Sequence, residues 1–162
     1  YDADITIGDV PEPDLEAIDS VDVASDREGG VNNNYDLVSL RHESRATSTV
    51  KQNVRDRNLQ DTEASVRIAM ESLYETLQQQ RTSWDGADAA WQKAVNDKAG
   101  LDQKDQLGMV GRLGYLQAEL TYLQAQSAKL FADISLRKAY EDYLWQVKGV
   151  TVTSTESSGQ QG

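Results

Sequence analysis

The chain holds 162 residues with a formal net charge of −11 at pH 7, one histidine, two prolines and no cysteine. That length suits a single domain, and 38% apolar against 27% charged residues allows a thin core of the coiled-coil kind. The acidic balance excludes nucleic acid as a partner, because phosphate binding needs a basic surface. The lack of cysteine excludes disulfides and thiolate metal sites, a lone histidine removes most zinc chemistry, and no apolar run approaches the roughly 20 residues of a membrane helix.

No signal peptide is visible and the first residue is Tyr1, as expected of a mature chain or a piece of a longer one. Residues 1–13 read as an extended linker: Ile5, Ile7 and Val10 alternate, and Pro11 and Pro13 forbid a helix before Asp14. A short helix is expected over residues 14–30. It would be capped by Asp14, have Leu15, Ile18 and Val21 on one face, and be ended by Gly29, Gly30 and the three asparagines at 32–34.

From Tyr35 onward there is no further proline, and good helix formers dominate. A long helix is expected over residues 35–106, about 108 Å at 1.5 Å per residue. Its early part, 41–60, is polar all round apart from Ala46, Val50, Val54 and Leu59. Further on, Met70, Leu73, Leu77, Gln80, Trp84, Ala87, Trp91, Ala94, Lys98 and Leu101 alternate steps of three and four, a heptad seam. Gly86 and Gly100 lie within this helix, each costing about 1 kcal/mol relative to alanine without ending it. Trp84 and Trp91 read as core packing, and His42 as a solvated helix residue.

Gly108 and Gly111 interrupt the pattern together, so the chain is expected to reverse at residues 107–111 rather than at Gly100. The return helix, 112–148, carries two seams. Leu113, Leu116, Leu120, Leu123, Ser127, Leu130 and Ile134 form the first. Tyr115, Ala118, Tyr122, Ala125, Lys129, Ala132, Leu136, Ala139 and Tyr143 form the second, on the opposite side. A helix that is apolar on two opposite faces needs a neighbour on each. The leucine seam is expected to serve the partner within the hairpin. The tyrosine and alanine seam is expected to face a second neighbouring helix, as in a helical wall. Residues 150–162 read as a disordered tail.

The tip residues Gln106, Leu107, Gly108, Met109 and Val110, and after them Gly114, Tyr115, Leu116, Gln117 and Ala118, resemble the repeat signature of the TolC family of outer-membrane efflux proteins. The aromatic-rich close of the return helix, Tyr140, Tyr143, Leu144 and Trp145 before Gly149, is similar to the family's repeat end. Residues 33–37 resemble its repeat opening, and Tyr1 to Asp4 resemble the segment just after a first repeat. The resemblance covers residues 14–149 and marks them as a second repeat. It implies a cell-envelope channel, exported and placed at the outer membrane. The full-length form would be a homotrimer whose helices close into an α-barrel conduit. The tip, Leu107, Gly108, Met109, Val110, Gly111 and Arg112, would dock a periplasmic adaptor that works with an inner-membrane pump. Three departures stand out. Between Leu37 and Val66 there is no alternating apolar run for the family's two barrel strands, which are expected to be deleted. Gly114 stands where relatives often carry an acid, and Gly111 where a hydroxyl often caps the return helix.

The fold class expected is all-α: a long antiparallel helical hairpin of the coiled-coil kind that builds α-barrel walls, preceded by a short helix. No catalytic group, cofactor or metal is expected, since there is no nucleophile elbow, phosphate loop or metal triad, and acidic pairs such as Glu141 and Asp142 read as a solvated face. The competing reading is a non-enzymatic coiled-coil spacer or interaction module without a pore.

Overall fold

The structure, a computed structural model, describes residues 11–43 and 48–151. It is all-α, with helices α1 (Leu15–Asp19), α2 (Val23–Asn33), α3 (Tyr35–His42), α4 (Thr49–Gln106) and α5 (Arg112–Val147), and no strand among the described residues. The long helices α4 and α5 pack antiparallel. The expected linker and tail lie mostly outside the described residues, as does Ala46.

Two helix boundaries expected from the sequence are corrected. The expected single helix over 14–30 is two helices, because Asp22 opens a second one: its carboxylate accepts from the Ala24 amide at 3.0 Å and the Ser25 amide at 3.3 Å. This second helix, α2, runs through Gly29 and Gly30 to Asn33. The glycines serve packing here rather than termination. A Cβ on Gly30 would lie 3.2 Å from the Met70 sulfur and 3.4 Å from the Gln146 carbonyl oxygen. The expected helix over 35–106 is likewise divided into α3 and α4. Asn34 caps α3 through the Leu37 amide at 3.1 Å. The Arg55 guanidinium closes its other end, donating to the Leu40 carbonyl at 3.0 and 3.2 Å and to the Arg41 carbonyl at 3.3 Å. A cation on the last carbonyls of a helix satisfies orphan acceptors and complements the dipole.

The chain divides into two compact units. One comprises Ala17–Thr76 and Tyr140–Gly162. Its core includes Val31, Leu37 and Val66, with Leu59 packed against them, and its surface is tied by Arg27 to Glu71 at 3.0 Å and Arg41 to Glu63 at 2.9 Å. Tyr143 is fully buried, its ring 6.3 Å from that of Tyr74, and its hydroxyl donates to Asp26 at 2.8 Å. Burial and the Asp26 carboxylate raise its phenol far above the ordinary range. In the same unit α5 ends in a Schellman motif, with the Gly149 amide bonding the Gln146 carbonyl and the Val150 amide the Trp145 carbonyl, both at 3.0 Å. Gly149 has φ +87°, and a Cβ there would fall 2.1 Å from the Asn33 carbonyl oxygen.

The other unit comprises Tyr1–Glu16 and Leu77–Ala139 and contains the hairpin turn. Here α4 presents the expected heptad seam: Leu77 is buried, and Trp84, Ala87, Trp91, Ala94, Lys98 and Leu101 are half-buried. The face that α5 turns to it is the reverse of the expected one. Tyr115, Ala118, Tyr122, Ala125 and Ala132 are half-buried, and Leu136 and Ala139 buried, whereas the leucine seam is exposed. Volume and polarity explain the reversal. The Trp91 indole stacks on Tyr122 and the Trp84 indole lies against Lys129 and Asp133, while the small alanines of the same face let the two helices approach. This face of α5 also supplies polar partners, the Tyr115 hydroxyl to Lys98 and Asp133 to the Trp84 indole.

Candidate functional site

The reversal lies at residues 107–111, as expected, and α4 runs unbroken through Gly100. Gly108 takes φ +69°, the left-handed conformation that glycine adopts without penalty. Its amide bonds the Asp105 carbonyl at 2.8 Å and the Met109 amide the Lys104 carbonyl at 2.9 Å, a second Schellman motif. Gly111 opens α5, its carbonyl accepting from the Tyr115 amide at 3.1 Å. The turn displays apolar side chains to solvent. Leu107 and Met109 are each 73% exposed, Val110 is half-buried, and Arg112 is exposed.

Behind the tip a ladder of polar and aromatic contacts fixes the register of α4 against α5. Lys98 donates to the Tyr115 hydroxyl at 2.8 Å, Tyr115 donates to Asp102 at 2.9 Å, and Lys98 pairs with Asp102 at 2.5 Å. The Asp102 contact above all, with the Tyr115 contact, raises the Lys98 ammonium above its usual range; Lys98 and Tyr115 lower the Asp102 carboxyl. One rung further from the tip, Trp91 and Tyr122 stack with ring centroids 5.0 Å apart. Below them the Trp84 indole donates to Asp133 at 2.6 Å, while Lys129 pairs with Asp133 at 2.6 Å and lies 4.5 Å over the Trp84 ring. Sequence reasoning missed this cluster. The signal was available: Lys129 interrupts one seam and Lys98 the other, and seam charges call for partners across the helix pair.

The tyrosine and alanine stripe expected to meet a second helix is thus used within the chain. Tyr115, Ala118, Tyr122, Ala125, Ala132, Leu136 and Ala139 belong to the hairpin seam, and Tyr143 to the core of the other unit. What α5 leaves without a partner is the leucine stripe: Leu116 is 48%, Leu120 55% and Leu123 51% exposed, and Leu113, Leu130, Phe131 and Ile134 are exposed too. A monomer seldom leaves so continuous an apolar strip in water.

Among the described residues no group of three or more His, Asp or Glu side chains is placed to hold a metal, and no helix is long and apolar enough to cross a membrane. No protein-family model, no curated protein and no solved structure matches this chain.

Proposed function

We propose that this chain is a wall hairpin of a TolC-like efflux conduit in the cell envelope, and that its turn docks an adaptor protein. The observation that carries the reading is the tip: Leu107 and Met109 stand in solvent on a turn locked by paired amide bonds, at the end of two register-fixed helices. Apolar side chains held out on a rigid turn give a docking partner burial without an ordering cost. The role is mechanical, with assembly of copies into a homotrimeric conduit and an inner-membrane pump as the further partner.

A second reading, a coiled-coil spacer without a pore, is favoured by one observation. Residues 49–66, part of the stretch where the family places its barrel strands, are continuous helix. The two readings separate in cells carrying the full-length protein with its adaptor and pump. Leu107→Asp with Met109→Asp, both on exposed positions, leaves protein level unchanged and abolishes efflux of a fluorescent dye. Unchanged efflux in that double variant contradicts tip docking.

A further inference from the structure

We infer that Met109 is an oxidation site, and that its conversion to the sulfoxide by hydrogen peroxide switches off docking at the tip. The chain has no cysteine and two methionines, so its only sulfur atoms are two thioethers. Their surroundings are opposite. Met70 is 0% exposed in the unit that holds Ala17–Thr76, and its sulfur lies 3.2 Å from where a Cβ on Gly30 would stand. Met109 is 73% exposed, on the turn between α4 and α5. An oxidant must reach the sulfur it attacks, so the folded chain offers hydrogen peroxide a single thioether, and that thioether is at the tip.

The turn separates what oxidation changes from what it keeps. The Gly108 and Met109 amides are held on the Asp105 and Lys104 carbonyls at 2.8 and 2.9 Å, and Gly108 supplies the left-handed conformation. Nothing in that lock uses the Met109 side chain. In the reaction the O–O bond of the peroxide breaks and an S–O bond forms. The sulfur loses two electrons, and the remaining peroxide oxygen leaves as water. A methionine sulfoxide reductase with a dithiol reverses the step, releasing the oxygen as water and leaving a disulfide on the reductant. The backbone turn is untouched, while an adaptable apolar side chain becomes a polar one with a strong acceptor oxygen. Leu107 is as exposed as Met109 and has no such chemistry, so one member of the apolar pair is oxidisable and the other inert. A partner that buries Met109 as an apolar group would then bury a sulfoxide oxygen. A buried polar group without its hydrogen bond weakens binding by about tenfold or more.

The inference deepens the docking reading and rests on it. The test has two arms. In the first, the purified 162-residue chain is treated with hydrogen peroxide, digested and weighed by mass spectrometry. The peptide carrying Met109 gains one oxygen atom, the peptide carrying Met70 gains it only when urea is present, and circular dichroism is unchanged without urea. In the second, cells carrying the full-length protein with its adaptor and pump receive a brief peroxide pulse before dye efflux is measured. Each strain is scored against its own untreated efflux. The unaltered strain loses efflux and recovers it as the sulfoxide is reduced, whereas Met109→Leu keeps its own untreated level. Met109→Gln, which puts a polar side chain there permanently, lowers efflux without peroxide. Three results overturn the inference: Met70 oxidised as readily as Met109 in the folded chain; equal loss of efflux in the unaltered and Met109→Leu strains; or full efflux from a strain whose Met109 is shown to be oxidised. The double aspartate variant of the tip judges the docking reading separately. If it abolishes efflux while oxidised Met109 does not, the oxidation switch falls and tip docking stands.

Discussion

Gly108 and Gly149 both close helices in the left-handed region, at φ +69° and +87°, yet their surroundings differ. Around Gly108 a Cβ finds open space, whereas at Gly149 it would meet the Asn33 carbonyl at 2.1 Å. Gly108→Ala is therefore expected to cost only the backbone strain, about 1–2 kcal/mol. Gly149→Ala adds a backbone collision that a flexible side chain cannot relieve, and should cost clearly more. Urea unfolding of the two variants checks the order. Asp133 is the second informative residue. It serves the Trp84 indole and the Lys129 ammonium at once, and it is 6% exposed. Asp133→Ala leaves both donors in a poorly solvated seam and is expected to cost about 2–3 kcal/mol in the same assay. Tyr143 gives the pH dependence. Its folded-state pKa is raised above the ordinary value of 10.0, so the stability it contributes is complete below about pH 10 and is lost as pH rises towards the folded-state value. Lys98, also raised, acts in the same direction. Tyr143→Phe should lose about 1 kcal/mol near neutral pH with the Asp26 hydrogen bond and should show a shallower alkaline decline than the unaltered chain.

At the scale of the helices, patterning alone locates the α4 seam and the turn. Steps of three and four through Leu77, Trp84, Trp91 and Leu101 match the side that is shielded. Two glycines close together where both helical patterns stop mark the reversal. What patterning does not reveal is which face of α5 turns inward. Periodicity ranks leucines above alanines and tyrosines as core, but the face that turns inward is the one carrying the partners of the α4 indoles, Tyr122 for Trp91 and Asp133 and Lys129 for Trp84. Glycine in α2 misleads for a related reason, since Gly30 is small because Met70 and the Gln146 carbonyl lie against it. Gly86 is the contrary case, exposed and with nothing near its missing Cβ. Gly86→Ala should therefore raise stability by about 1 kcal/mol through helix propensity alone, read as a higher midpoint in thermal unfolding.

For the molecule as a whole, the sequence carries the fold class and the tip but not the division into two units or the short helices, whose ends depend on contacts far along the chain. Asn33 donates to the Val147 carbonyl at 3.1 Å, and Arg55 reaches back to Leu40, links that no local pattern announces. In the hairpin α5 spends its tyrosine and alanine face against α4 and leaves its leucine face in water. Thermal unfolding of Tyr122→Glu and Leu123→Glu, neighbours in sequence of which the first is half-buried in the seam and the second exposed, tests this most directly at dilute concentration. Tyr122→Glu should lose the Trp91 stacking and bury a charge, lowering the midpoint by roughly 5–10 °C for about 2–3 kcal/mol. Leu123→Glu should leave the midpoint within about 1–2 °C, since a surface change away from any packed feature stays within about 0.5 kcal/mol. The opposite order, with Leu123→Glu melting the hairpin and Tyr122→Glu tolerated, would contradict the assignment of faces.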